Sequence, residues 1–283
     1  MHVSSNLVLS VAEQIPHGID RVLGTTAQAG PDPGAPLEVA DALAWYVRPL
    51  DIEIAGDAIS NVIGEVRERG FPGLSLASCR HLDDCFAPLL AGAPDLRLLD
   101  LFNTPTGDSA LAALSGTLPR LARLNLAGSL VTDGGLAHLR GLPALEILHL
   151  GWTDIGDEGL AAIAALPNLK TLVLHGTRVT DAGMAALARS AALEALDLQE
   201  TAVSDAGVRA LAPLAPRLVR LYLGYTAITD ACVDDLCRFA RLRTLMLRAT
   251  RVTPARDADL ARAMSDLGGL DTGPGGIQEG LIR

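Results

Sequence analysis

Lysine and aromatic residues are nearly missing from this chain. Lys170 is the single lysine among 23 basic residues, and four Phe, three Tyr and two Trp are all the aromatics in 283 positions. The arginine bias points to a GC-rich genome, which concerns coding rather than function. No apolar run reaches about 18 residues, so no membrane-inserted helix is expected. The opening residues, MHVSSNLVLSVAEQ, place no basic residue before their short apolar stretch and offer no small-residue cleavage site, so no secretory signal is read there. A cytoplasmic protein is expected, although export through an uncleaved N-terminal signal would leave the same sequence. A basic stripe is lacking as well. With a net charge of −10 the chain repels nucleic acid and anionic membrane alike.

What the chain has is a period. Leu145, Leu148 and Leu150 are followed by Thr153, Ile155, Asp157, Gly159 and Leu160. Leu169, Leu172 and Leu174 are followed by Thr177, Val179, Asp181, Gly183 and Met184, and a further copy opens with Leu193, Leu196 and Leu198. Repeats open at Leu96, Leu121, Leu145, Leu169, Leu193, Leu218 and Leu242, spaced 25, 24, 24, 24, 25 and 24. Weaker copies open at Phe71 (with Leu74, Leu76 and Cys79) and at Val47 (with Leu50 and Ile52). Self-similarity at a fixed period of this length signals stacked supersecondary units.

The pattern L-x-x-L-x-L-x-x-T-x-[VI]-[TSG]-D-x-G-[LVM] resembles the leucine-rich repeat family, in particular its bacterial and cysteine-containing-like branch with 24-residue repeats. The resemblance covers residues 71–253. It implies an α/β fold: a right-handed leucine-rich-repeat solenoid, or horseshoe, with one parallel sheet on the concave side and helices on the convex side. Right-handed crossover is the default for parallel strands joined by helices. Each LxxLxL reads as a short strand whose alternate leucines point inward. The Thr column (Thr104, Thr153, Thr177, Thr201, Thr226, Thr250) is expected to bond neighbouring backbone groups. Thr132, Thr180, Ser204 and Thr229 read as helix N-caps, with Asp133, Asp181, Asp205 and Asp230 placing carboxylates in the first helical turn. Capping, not calcium binding or catalysis, is the expected role of these aspartates.

Outside the repeats, residues 1–36 are expected to be a flexible or weakly ordered segment ending in GPDPGAP. Residues 37–70 read as a helical cap with a degenerate repeat, helical from Leu37 to Val47 and again through Ile59, Val62, Ile63 and Val66. Residues 254–283 read as a capping helix from Pro254 to Leu267, striped by Leu260, Met264 and Leu267, and then a mobile glycine-rich tail. Four cysteines, Cys79, Cys85, Cys232 and Cys237, form no CxxC. The two pairs lie about 30 Å apart at a strand spacing of about 4.8 Å, too far to bridge each other, so buried reduced thiols are expected.

Function is expected on the strand positions between the leucines, which face out from the concave sheet. Phe102, Trp152, Tyr222 and Tyr225 fall in these columns, interleaved with Arg123, His149, His175, Asp197, Glu200, Arg220 and Arg248. Trp, Tyr and Arg are common anchors of protein interfaces. One aromatic on such a sheet would merely cover small neighbours such as Gly128 and Gly176; four together point to a face that binds a partner protein. Non-enzymatic binding of a protein partner is therefore the expected function, with no catalytic residue, metal ligand or cofactor assigned. Two alternatives stand beside it. One is a bacterial effector or adaptor acting on a host protein, without an attached ligase, since the tail after the last repeat is short. The other is a hydrolase-like or metal site around His149 and His175, which no HExxH, nucleophile elbow or phosphate loop supports.

Overall fold

A computed structural model describes residues 7–12, 44–49, 53, 55–263 and 269–271. Its strands run in chain order across one sheet: β1 Leu7–Ala12, β2 Ala44–Pro49, β3 Gly73–Ser75, β4 Leu98–Asp100, β5 Arg123–Asn125, β6 Ile147–His149, β7 Thr171–Val173, β8 Ala195–Asp197, β9 Arg220–Tyr222, β10 Thr244–Met246 and β11 Gly269–Asp271. β1 pairs antiparallel with β2, and every later neighbour is parallel. The helices are α1 Asp57–Arg69, α2 Asp108–Leu114, α3 Asp133–Leu136, α4 Leu160–Ala164, α5 Asp181–Leu187, α6 Asp205–Ala210, α7 Val233–Leu236 and α8 Pro254–Ala263, with short 3-10 segments between some of them. The chain is thus a right-handed solenoid, sheet on the concave side and helices on the convex side.

Register follows from the leucines. Leu74, Leu99, Leu124, Leu148, Leu172, Leu196, Leu221 and Leu245 align rung on rung, each buried to 1% exposure or less. Behind them the third leucine of each repeat and the helix residues Leu136, Leu160, Met184, Val208 and Val233 close one continuous apolar core. At the inner turn the threonine column behaves as expected: Thr153, Thr177, Thr201 and Thr226 hydroxyls donate to the carbonyls of Leu150, Leu174, Leu198 and Leu223, three residues back. Those buried carbonyls lie where the chain leaves the strand, and the hydroxyls keep them paired there, joined at Leu174 by the Thr177 amide.

The aspartates do more than sit in a first helical turn. Thr132, Thr180, Ser204 and Thr229 do cap, each accepting the amide two residues on. The carboxylate that follows each cap reaches into the next repeat. Asp157 accepts the Thr180 amide at 2.8 Å and the Thr180 hydroxyl at 2.6 Å; Asp181 does the same for Ser204, Asp205 for Thr229 and Asp230 for Thr253. The ladder also explains the glycine of D-x-G. A methyl group at Gly183 would meet the Asp157 carboxylate at 2.5 Å, so the repeat must leave room for its predecessor's acid. Cys232 stands in that glycine column, and its thiol is pushed up by burial and by Asp205 beside it, leaving it an inert thiol rather than a nucleophile. An Asp157→Ala variant strands two donors of the next cap. It is expected to lose about 2 kcal/mol, seen as a lower urea midpoint at constant slope.

Several expectations need correction. The stretch expected to be helical from Leu37 to Val47 contains strand β2 over Ala44–Pro49, while residues 37–43 lie outside the described residues. Val47 pairs with Leu74, so it stands at the second leucine position of its rung and not at the first; Leu50 and Ile52 are outside the described residues. A parallel rung covers the apolar rim of β3, which a helix over these residues would leave unpaired. Within residues 1–36, Leu7–Ala12 forms the antiparallel edge strand β1, and GPDPGAP lies outside the described residues. Within the segment read as a mobile tail, Gly269–Asp271 adds β11 beside β10. α8 is described over Pro254–Ala263 with Leu260 fully buried, and Met264 and Leu267 lie outside the described residues. α1 does bury Ile59, Val62, Ile63 and Val66 on one face. None of the four cysteines is in a disulfide, but only Cys79 and Cys232 are buried; Cys237 is half-buried and Cys85 is exposed.

Candidate functional site

The strand positions that carry the candidate residues do not all face solvent. After the second leucine come Ser75, Asp100, Asn125, His149, Val173, Asp197 and Tyr222, and of these only Asn125 escapes burial. They form a polar seam along the sheet. The Ser75 hydroxyl donates to Asp100 at 2.8 Å. Asp100, Asn125 and Asp197 each accept the amide two residues on, from Phe102, Ala127 and Gln199. Burial pushes the Asp100 carboxyl up, against the hydrogen bonds it accepts. His149, Asp197 and Tyr222, expected as exposed contacts, are 7%, 2% and 3% exposed. Side chains on the flanking rungs cover them, which a single repeat read alone does not show. Burial also raises the Tyr222 hydroxyl to about 12.

Three residues further along, the backbone changes hand. Ser78, Asn103, Gly128, Trp152, Gly176, Glu200, Tyr225 and Ala249 all have φ between 52° and 68°. Trp152, Glu200 and Tyr225 were expected on the open sheet; they sit instead on a left-handed turn at its rim. The turn extends the ladder past the strands, with the Trp152 amide donating to the His175 carbonyl, Gly176 to Gln199, Glu200 to Gly224 and Tyr225 to Arg248. Glycine holds this conformation freely, whereas a side chain there costs roughly 1–2 kcal/mol and a bulky one is an outlier. Trp152 and Tyr225 accept that cost while 57% and 49% exposed.

Around Trp152 the contacts are specific. Its ring meets the His175 ring edge to face, centroids 4.4 Å apart. Its indole lies over Gly176, where any Cβ would strike the indole Nε1 at 2.6 Å. The His175 Nδ1 faces the Asp197 carboxylate at 3.6 Å, and Gly151 makes room for that imidazole, since a Cβ there would meet Nε2 at 2.5 Å. His149 is sealed behind it. Burial first, and His175 next, lower its pKa to about 4, and its Nε2 has no hydrogen-bond partner. His149, His175 and Asp197 therefore come together as a row, His149 and Asp197 buried and His175 half-buried, and not as an open cleft. Among the described residues no three His, Cys, Asp or Glu side chains converge as metal ligands would.

The remaining candidates divide. Tyr225 carries the Arg248 guanidinium 5.9 Å above its ring. Phe102 is 38% exposed on the same rim, while Arg123 and Arg220 lie half-buried on the sheet itself. Trp152 and Tyr225 are three strands apart, about 14 Å at the spacing of parallel strands. Leu130, 65% exposed just beyond the rim, was not among the expected residues. Its column otherwise reads Pro105, Asp154, Arg178, Ala202, Ala227 and Arg251, so the lone large apolar residue was the signal.

Residues 142–164, 165–188 and 190–212 each match the family model described as Leucine Rich repeat. No curated protein matches in sequence. Among solved structures, an internalin (inlF) from Listeria monocytogenes is similar with a TM-score of 0.52 and 19% identity, over 77% of this chain and 64% of that one. The chain thus spans less than two thirds of that internalin. Internalin C2 (inlC2) from the same organism is similar with a TM-score of 0.57 and 22% identity, over 76% of this chain and 92% of that one. The three central stretches are thus leucine-rich repeats by sequence, and about three quarters of the chain shares the leucine-rich-repeat solenoid fold.

Proposed function

We propose that this protein is a non-enzymatic module that binds a partner protein along the concave face and its rim. The observation that carries the reading is the placement of Trp152 and Tyr225. Both are large aromatics held exposed at turn positions where this chain elsewhere uses Gly128 and Gly176. Backbone strain of this kind concentrates where a side chain is wanted for contact. Phe102 extends the aromatic rim, Arg248 lies over the Tyr225 ring, and Arg220 stands on the strand that leads to Tyr225. The burial of His149, Asp197 and Tyr222 moves them from contact residues to the support beneath that rim.

Replacing Trp152 or Tyr225 by glycine tests this without breaking the turn. Affinity capture from native lysate with the parent protein, followed by titration of the captured partner, is expected to show each variant weakened by about 2 kcal/mol. Melting temperatures should stay at or above the parent value. Unchanged affinity for both variants would remove the rim from the interface, and turnover of a small substrate with no partner captured would favour an enzyme.

A further inference from the structure

We infer that the notch between Trp152 and Glu200 is a subsite for an arginine side chain of the partner. This rests on the rim reading above and gives it a chemistry. Along the left-handed turn the order is Trp152, Gly176, Glu200, Tyr225. Gly176 contributes no side chain, and the Trp152 indole leans across it toward Glu200. Two strand spacings, about 9.6 Å, separate the Cα positions of Trp152 and Glu200. The indole occupies the first of them. The second leaves room for one planar group, stacked on the aromatic face with a carboxylate at its edge.

Charge points the same way. Glu200 is exposed, and among the described residues nothing pairs with its carboxylate. Two acids on nearby rungs are matched, Asp154 with Arg178 at 2.8 Å and Glu146 with Lys170 at 3.1 Å. Asp197, the acid at the end of the same strand, is buried and turned toward Gln199 and His175. Glu200 is left as the acceptor for an incoming cation, on a chain of net charge −10. The protein already builds this contact once from its own residues. Tyr225 stands at the same turn position as Trp152, and Arg248 from the next rung lies over its ring. At Trp152 the corresponding next-rung residue is His175, drawn down toward Asp197, so the outer surface of the indole stays open. Guanidinium stacks on indole and pairs with a carboxylate in one plane, whereas an ammonium satisfies only the charge.

The test uses the full chain and a serine-glycine peptide with one central arginine, beside the same peptide carrying citrulline or lysine in its place. The Trp152 indole N–H resonance reports occupancy, assigned by its loss in Trp152→Gly. The arginine peptide is expected to shift it saturably and the isosteric, uncharged citrulline peptide to leave it unmoved. Glu200→Gln should weaken the arginine peptide about fivefold. Equal shifts from citrulline, no response to any peptide, or an unaltered affinity in Glu200→Gln would each overturn the subsite. Lysine binding as tightly as arginine would overturn the guanidinium assignment. The captured partner separates this from the broader reading. Loss with Trp152→Gly but indifference to Glu200→Arg would end the arginine subsite and leave the rim interface standing, whereas indifference to both ends the rim interface.

Discussion

Truncating Leu172 to alanine is expected to lower the unfolding free energy by about 2–5 kcal/mol, with a matching fall in the urea midpoint. Leu172 lies at the centre of β7, fully buried, with Leu148 on one flank and Leu196 on the other in exact register. A cavity there is walled by rungs whose spacing is fixed by backbone hydrogen bonds, so the neighbours cannot collapse into it. The position adds to the effect. In a solenoid each repeat is stabilised by its two neighbours, and a weakened middle repeat uncouples the halves. Unfolding followed by circular dichroism should therefore lose cooperativity as well as stability. A Leu172→Ala protein within about 0.5 kcal/mol of the parent, the range of an ordinary surface change, would contradict the assignment of this leucine to the core.

The leucine columns were legible because their information is local and repeated. Period-2 leucines, the threonine at the turn and the Thr-Asp pair at each helix start state their own geometry, and constant spacing aligns one copy on the next. The edges of the molecule were less legible. Ala44–Pro49 carries apolar residues at spacings that suit either a helix or a strand, and only pairing with β3 decides between them. The D-x-G motif was visible, but its reason was not. The Asp157 carboxylate and the Gly183 Cα that it excludes from bearing a side chain belong to different repeats, a contact that no single repeat contains.

The candidate site was legible as a set of columns and misread in its exposure. Sequence spacing places His149, Asp197 and Tyr222 between leucines but says nothing of the rungs that cover them. The rim was readable in principle. Gly128, Gly176 and Asn103 share a column with Trp152 and Tyr225, and glycine with asparagine is the signature of a left-handed backbone. Once that column is a turn, its aromatics cease to be sheet decoration and become the strained, exposed residues on which the functional reading depends.

Acidification is expected to unfold this protein through His149 more than through any surface group. Its imidazole is sealed in the seam with a pKa near 4, held down by burial and by His175 and Arg123, with Asp197 pulling the other way. In the unfolded chain the same group titrates near 6.5. Above about pH 7 it is neutral in both states and the protein has its full stability. Between about 6.5 and 4 the unfolded chain takes a proton that the folded one refuses, so stability falls as pH falls. Below about 4 both states are protonated and the loss is complete, at about 3 kcal/mol for a shift of this size. Asp100 acts in the opposite sense. Its carboxyl is raised by burial, so the folded state keeps a proton that the unfolded state gives up, and its contribution grows on acidification and is lost as pH rises. The two overlap in a simple pH scan of the parent. A His149→Asn variant separates them, because Asn125 already occupies the same column one rung earlier and bonds the amide of Ala127 there. Every other titrating group is common to both proteins. Urea unfolding from pH 7.5 to 4.5 should show the parent losing about 2–3 kcal/mol more than the variant, with the divergence opening below pH 6.5. Parallel curves would mean that His149 takes its proton inside the fold, and the sealed seam beneath Trp152 and His175 would then have to open to water.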